Sequence, residues 1–323
     1  MQQSASIIDT LSEGYRAIHR RPAALLLVFA FNLALLLTAP VSFAPLFDRF
    51  DGFLTRLAGA STETSGDAQS QMSALLAELG QTDLRQALAL MNVMPRFIVP
   101  RFAPGALATN GADAVITIAS VPAAALTFVL INLIVFPIGV LFLTLVGAAV
   151  RGEPAWQRDL WRAMVRIGAA VIGVMAILVA AFVLIGLPFA FVAALLMAVN
   201  DVLGVLAFSL ILVVMIWVQI YVGFANEAIV MSRMGPLRAL RASFELVRRN
   251  LWGVVGFLLL SLLITRGTEV IWEMLGTSMI GGVAAALGSA YIGVGLAAAR
   301  MAFYRERVRR LSEQQAIRPG AAP

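Results

Sequence analysis

Val171-Ile-Gly-Val-Met-Ala-Ile-Leu-Val-Ala-Ala-Phe-Val-Leu-Ile-Gly-Leu187 carries no polar side chain on any face. A helix that is apolar all round must be wrapped by something equally apolar, either the core of a large protein or lipid tails. A strand of an outer-membrane barrel would instead alternate polarity over stretches of about 10 residues. Outward from this run, other apolar stretches recur near or above the ~20 residues needed to cross a ~30 Å hydrocarbon layer. Arginine-rich segments separate them, where strands would be punctuated by turn residues. With 60% hydrophobic and 13% charged residues, the chain has too little polar surface to cover a water-soluble globule. The fold class expected is all-α, a polytopic transmembrane helix bundle.

About six spans can be placed, over 23–44, 116–149, 167–189, 202–226, 251–272 and 279–303. Pro122 and Pro137 fall in the second, which is too long for one upright helix unless it kinks, tilts or begins at the interface. Between spans three and four the chain turns either at Pro188 or at Asn200-Asp201. Arg20 and Arg21 before the apolar run that starts at Ala23 also fit the start of a signal peptide, but Pro45 directly follows the candidate cleavage region Val41-Ser42-Phe43-Ala44. An uncleaved first span is the better reading.

All 24 basic residues are arginine, and 18 of them fall in four segments: the N-terminus, 151–166, 227–250 and the tail from Arg300. Arginines in short flanks and loops are retained on the cytoplasmic side. Both termini are therefore expected inside, in a bacterial cytoplasmic membrane. The segment 45–115 holds five arginines and seven acidic residues, long enough to translocate with little regard to charge. The net charge of +6 is explained by topology and anionic headgroups, and no nucleic-acid recognition motif accompanies it.

Three of the arginine-rich segments share a spacing: Tyr15 with Arg20, Trp161 with Arg166, and Phe244 with Arg249, each followed by a span. This predicts three repeats, each an interfacial helix plus two transmembrane helices. In the third, Pro236 opens a helix whose Leu237, Leu240, Phe244 and Val247 recur at helical spacing. In the second, Trp156, Leu160 and Met164 form an apolar stripe. In the first, Thr10 and Glu13 have capping-box spacing. Arginines of such helices face phosphates, at on the order of 1 kcal/mol each near an anionic surface. The candidate anionic-lipid contacts are Arg20, Arg21, Arg158, Arg162, Arg166, Arg238, Arg241, Arg248, Arg249 and Arg305. The domain plan is a single transmembrane domain over 1–311, with a non-cytoplasmic insertion at about 45–115 and a disordered cytoplasmic tail over 312–323. The insertion should open with a phenylalanine-rich helix (Leu46, Phe47, Phe50, Phe53), continue through a linker at 60–71, and hold further helix from about Met72 and over 82–93.

The stretch from Ala228 to Asn250 resembles the membrane domain of bacterial membrane-anchored glycerophosphoryl diester phosphodiesterases, through Gly235, Pro236, Ala239, Leu240, Ser243, Leu246 and Asn250. Leu11 to Pro22 and Tyr304-Arg305 fit the same pattern, whereas the segment 45–115 departs from a compact member. The resemblance implies a membrane domain. In those enzymes the phosphodiesterase chemistry resides in a separate soluble barrel, and no stretch here has the ~250 residues such a barrel takes.

No catalytic constellation is legible. His19 is the sole histidine, cysteine is absent, and without lysine no GxxxxGK[ST] phosphate loop exists. No cofactor or metal is expected. Gly281, Gly282, Gly288, Gly293 and Gly295, interleaved with alanines, suggest close packing of the last span. Candidate intramembrane polar sites are Asn132, Gln219 and Glu227. The leading expectation is a non-enzymatic scaffold, accessory or lipid-interacting module whose partners are anionic membrane lipids. The alternative is a small-solute or lipid transporter, which would gather those three polar residues around a cavity at mid-depth.

Overall fold

A computed structural model describes residues 6–59, 73–77, 85, 93–95, 97, 115–154, 156, 159–276 and 278–316. Along the chain the elements are α1 (Ile7–Arg20), α2 (Ala23–Leu37), β1 (Val41–Ser42), α3 (Ala44–Gly59), β2 (Ile116–Thr117), α4 (Val121–Arg151), α5 (Leu160–Ala181), a π turn (Phe182–Gly186), α6 (Leu187–Val199), α7 (Asp201–Val222), α8 (Ala225–Ser232), α9 (Pro236–Arg249), α10 (Leu251–Leu275) and α11 (Met279–Ala316). The fold is all-α, and among the described residues β1 and β2 are its only strands.

Among the described residues five helices are long and apolar enough to cross a membrane: Val121–Arg151, Leu160–Met197, Val202–Ser232, Leu251–Leu275 and Met279–Leu311. A sixth is reached if α1 and α2, bent by 84° where they meet, form one broken span. The most apolar stretch of Val202–Ser232 is only 6% buried by protein, against 44% for that of Val121–Arg151. Such bare hydrocarbon is stable only in lipid. The chain is a multi-pass helical membrane protein.

The first span is shorter than its sequence suggests. Helix α2 has 15 residues, about 22 Å of rise at ~1.5 Å per residue. Pro40 ends it, since proline offers no N–H and pushes the preceding residue out of helical conformation. Residues 41–42 then form β1, which pairs in parallel with β2, Val41 opposite Ile116 and Ser42 opposite Thr117. The two ends of the insertion thus meet, a pairing that nothing in the apolar pattern signals.

The second span is one helix, with Pro122 in its first turn and Pro137 accommodated inside. In the third, Pro188 does not end the helix. The missing proline N–H and the clash of its ring with the carbonyl four residues back are absorbed by the π turn just before it, where Leu187 N–H reaches Phe182 O. The chain turns at Asn200, which is extended (φ −159°) and whose side-chain oxygen accepts from Val202 N–H and Leu203 N–H, capping α7.

The first and third interfacial helices expected from the spacing are separate helices, α1 and α9. The second is not: α5 runs unbroken from Leu160 through Arg166 into the span. The break after α1 falls at Arg21-Pro22 and that after α9 at Asn250 (φ −133°), whereas Arg166-Ile167-Gly168 holds no proline and stays helical throughout. The capping box of α1 is Ser6 with Asp9, not Thr10 with Glu13. Thr10 is buried one turn further on, its hydroxyl donating to Ser6 O. Helix α11 continues to Ala316, into the stretch 312–323 expected to lack regular structure. The four-apart pairs of Arg310 with Glu306 (2.8 Å) and of Arg309 with Glu313 (3.8 Å) support that extension. The linker at 60–71 and most of 82–93 lie outside the described residues.

Two compact units divide the chain. The first gathers the described residues of Met1–Leu26, Val140–Gly267 and Ile292–Pro323. Its core stacks Phe303 on Phe257 (5.0 Å between ring centroids) with Phe224 tilted against Phe303 (5.7 Å), all three fully buried. Helices α1 and α11 touch at glycines: a side chain on Gly14 would overlap the Ala299 backbone, and one on Gly295 the Tyr15 ring. The second unit gathers the described residues of Leu27–Gly139 and Thr268–Tyr291. Its core holds Leu35, Leu36, Phe97, Ala285 and Ala286. Within it Asn32, 1% exposed, donates from Nδ2 to Ala286 O on α11 (3.1 Å), and Gly288 leaves room for the Trp272 ring.

Candidate functional site

The chemistry on view is that of arginine, and in the first unit it centres on the carbonyl end of α4. Gly152, at φ +75°, ends that helix in a left-handed turn that glycine adopts at no steric cost. Gly152 N–H reaches Ala149 O (3.2 Å) and Glu153 N–H reaches Ala148 O (2.9 Å), a Schellman motif. Two further carbonyls would remain without donors. Arg305 Nη1 donates to Val150 O and Arg21 Nη2 to Gly152 O, both at 2.6 Å. Cations are favoured there twice over, by the exposed lone pairs and by the negative end of the helix dipole. Arg305 also pairs with Glu13 of α1.

Arg151, the last residue of α4, turns toward α8. It donates from Nη1 to Val230 O (3.0 Å) and holds Glu153 Oε2 from both Nε and Nη2 (2.8 Å each). Arg233 approaches the other Glu153 oxygen at 3.8 Å. It is the only non-glycine residue with positive φ among those described (+53°), in the left-handed position after α8 where glycine or asparagine is usual. Beside these groups, Arg151, Arg166 and Arg233 line a small, shallow cleft, with Leu160, Ile167 and Val230 also in its lining.

A second ion pair lies deeper in the same unit. Glu227, its side chain 8% exposed, accepts from Arg300 Nε at 2.8 Å. Arg300 also donates to Gly223 O and lies over the Phe224 ring, 5.4 Å from its centroid. Ser232 and Tyr304 hydroxyls are bonded at 3.2 Å close by.

The motif around 235–250 holds α9 in place. Gly235 caps the helix in extended conformation, Pro236 opens it and packs on the Gly173 backbone, and Ala239 and Leu246 are buried. Ser243 is the pin: fully buried, it accepts from Phe224 N–H (3.1 Å) and donates to Tyr221 O (2.6 Å), so α9 is bonded to the corner between α7 and α8.

The expected lipid contacts separate into three groups. Arg21 and Arg305 are engaged on carbonyls as described. Arg162 sits 3.4 Å from Asp159, and Arg248 and Arg249 both reach Glu245. The hydrogen bond from Arg249 holds the Glu245 carboxyl below the usual range, so this pairing persists to lower pH than an unpaired glutamate would stay ionised. Arg20, Arg166, Arg238 and Arg241 are exposed and have no partner among the described residues. Arg158 lies outside them. Of the polar candidates, Glu227 is buried and paired, Gln219 is on an exposed face of α7, and Asn132 in the second unit donates from Nδ2 to Phe128 O of its own helix (2.8 Å). None of the three lines the cleft.

Sequence reasoning did not single out Arg151, Glu153, Arg233 or Arg300 as site residues. The one available signal is the left-handed turn: Arg233 stands two residues before Gly235-Pro236, at the end of a helix, where a glycine would be ordinary.

No protein-family model, no curated protein and no solved structure matches the chain.

Proposed function

We propose that the chain is a non-enzymatic, lipid-interacting component of the bacterial cytoplasmic membrane, of the same kind as the membrane domain that its 228–250 motif resembles, with both termini inside. The observation that carries this reading is α9. Its Ala239, Ser243, Leu246 and Val247 are buried in the protein, while Arg238 and Arg241 on the other side are exposed and have no partner among the described residues. A helix pinned at its middle by Ser243 and bearing unneutralised guanidinium groups is suited to rest in a layer of phosphates. Helix α1, with Arg20 exposed and Thr10, Gly14 and Ile18 buried, has the same division. Both helices then lie along the inner leaflet, and the shared aromatic and arginine spacing reflects an internal repeat.

The transport alternative gains no support within the first unit, where Gln219 is exposed and Glu227 is committed to Arg300.

Fluorescence quenching by brominated lipids tests the reading on the purified full chain, using its own five tryptophans. Brominated phosphatidylglycerol should compete several-fold better than brominated phosphatidylcholine, and the difference should shrink as salt rises. Equal competition at low salt defeats the lipid reading. Reporter fusions placing residue 160 or 240 outside the cell defeat the orientation.

A further inference from the structure

We propose that the cleft between Arg151, Arg166 and Arg233 is a discrete binding site for a phosphate group, carried by an anionic lipid. This deepens the lipid-interacting reading and rests on it. Three arginines line the cleft, and Glu153 bridges two of them, Arg151 and Arg233. Arg166 has no partner among the described residues, and Arg233 is held to Glu153 only loosely, at 3.8 Å. Both therefore have donors to offer an incoming anion. Arg151 is a positioning residue: its bonds to Val230 O and Glu153 fix the floor of the cleft.

Two further features fit a phosphate. Leu160 and Ala163 of the first turn of α5 line the cleft, and the side chain of Asp159 before them makes no capping bond. The N–H groups that open a helix are donors with a positive dipole behind them, and phosphates bind there. Arginine, planar and always charged, matches phosphate oxygens two at a time. The lipid source follows from the lipid-interacting reading on which the site rests, and the two arms of the experiment below separate a lipid headgroup from the free ion.

The test is native mass spectrometry of the full chain released from vesicles of phosphatidylcholine containing one-fifth phosphatidate, one-fifth phosphatidylglycerol, or neither. A parallel arm measures thermal protection by inorganic phosphate alone. The variants are Arg166→Gln and Arg233→Gly; glycine at φ +53° removes the charge while easing the backbone, so folding should be kept. Wild-type protein is expected to retain one phosphatidate or phosphatidylglycerol per chain, and each variant at least five-fold less. Protection by inorganic phosphate that both variants lose, without lipid retention, supports the phosphate site and assigns it to the free ion. Retention by both variants equal to wild type overturns the cleft while the bromolipid preference for phosphatidylglycerol survives. Loss of that preference in the wild type is instead the failure of the broader lipid reading.

Discussion

The carbonyl end of α4 and the outward side of α9 both present arginines, and they use them oppositely. At the end of α4 three guanidinium groups meet protein acceptors: Arg21 on Gly152 O, Arg305 on Val150 O, Arg151 on Val230 O and Glu153. On α9, Arg238 and Arg241 meet none among the described residues. The difference lies in what surrounds each arginine. A helix C-terminus brought against other elements has carbonyls that need donors, whereas α9 is capped by Asn250, whose own N–H reaches Leu246 O and Val247 O. One set of arginines therefore holds the protein together, and the other is left for whatever lies outside it.

The sharpest way to break this comparison is at the buried pair. Arg300→Ala leaves Glu227 as an uncompensated carboxylate among Phe224, Ala228 and Ile229, at a cost on the order of 3–5 kcal/mol. Thermal unfolding in detergent should show a large fall in Tm, and Arg300→Ala with Glu227→Ala should recover part of it. A single variant that melts like the wild type would mean that the engaged arginines are not structural. A smaller effect is expected at the end of α4. Arg305→Gln or Arg21→Gln takes a charged donor from a helix carbonyl, worth about 1 kcal/mol. Both changes should lower Tm modestly, and since Arg305 also pairs with Glu13 its loss should be the greater.

The membrane-spanning character of the chain was plain in runs such as Val171–Leu187, because being apolar all round needs no tertiary partner to interpret. Span ends were harder to read, because they depend on how one residue resolves a local conflict. Pro188 is absorbed by a π turn, Pro40 stops α2, and Asn200 caps α7 at one of the two turning points that the sequence left open. The shared aromatic and arginine spacing located α1 and α9 but misjudged the middle segment, since spacing marks where a helix is and not where it breaks. At the site, the class of residue was legible and the division of labour was not. Arg21 meets its acceptor 131 residues away and Arg305 meets one at 155, so nothing local distinguishes them from Arg20 or Arg238.

That division gives the prediction with the smallest effect on stability and the most to say about function. Arg238→Gln with Arg241→Gln removes two exposed cations from a helix whose attachment runs through Ser243, Ala239 and Leu246 on the other side. Substitutions of exposed side chains without partners leave a fold nearly untouched, so Tm should equal that of the wild type. The advantage of brominated phosphatidylglycerol over phosphatidylcholine should nonetheless fall by several-fold, because each lost guanidinium removes on the order of 1 kcal/mol of attraction to an anionic surface. A fall in Tm without a change in lipid preference would place these arginines with those at the end of α4 and dissolve the contrast. The opposite pattern, unchanged stability with lost preference, separates the two regions by experiment as their hydrogen bonds separate them in the structure.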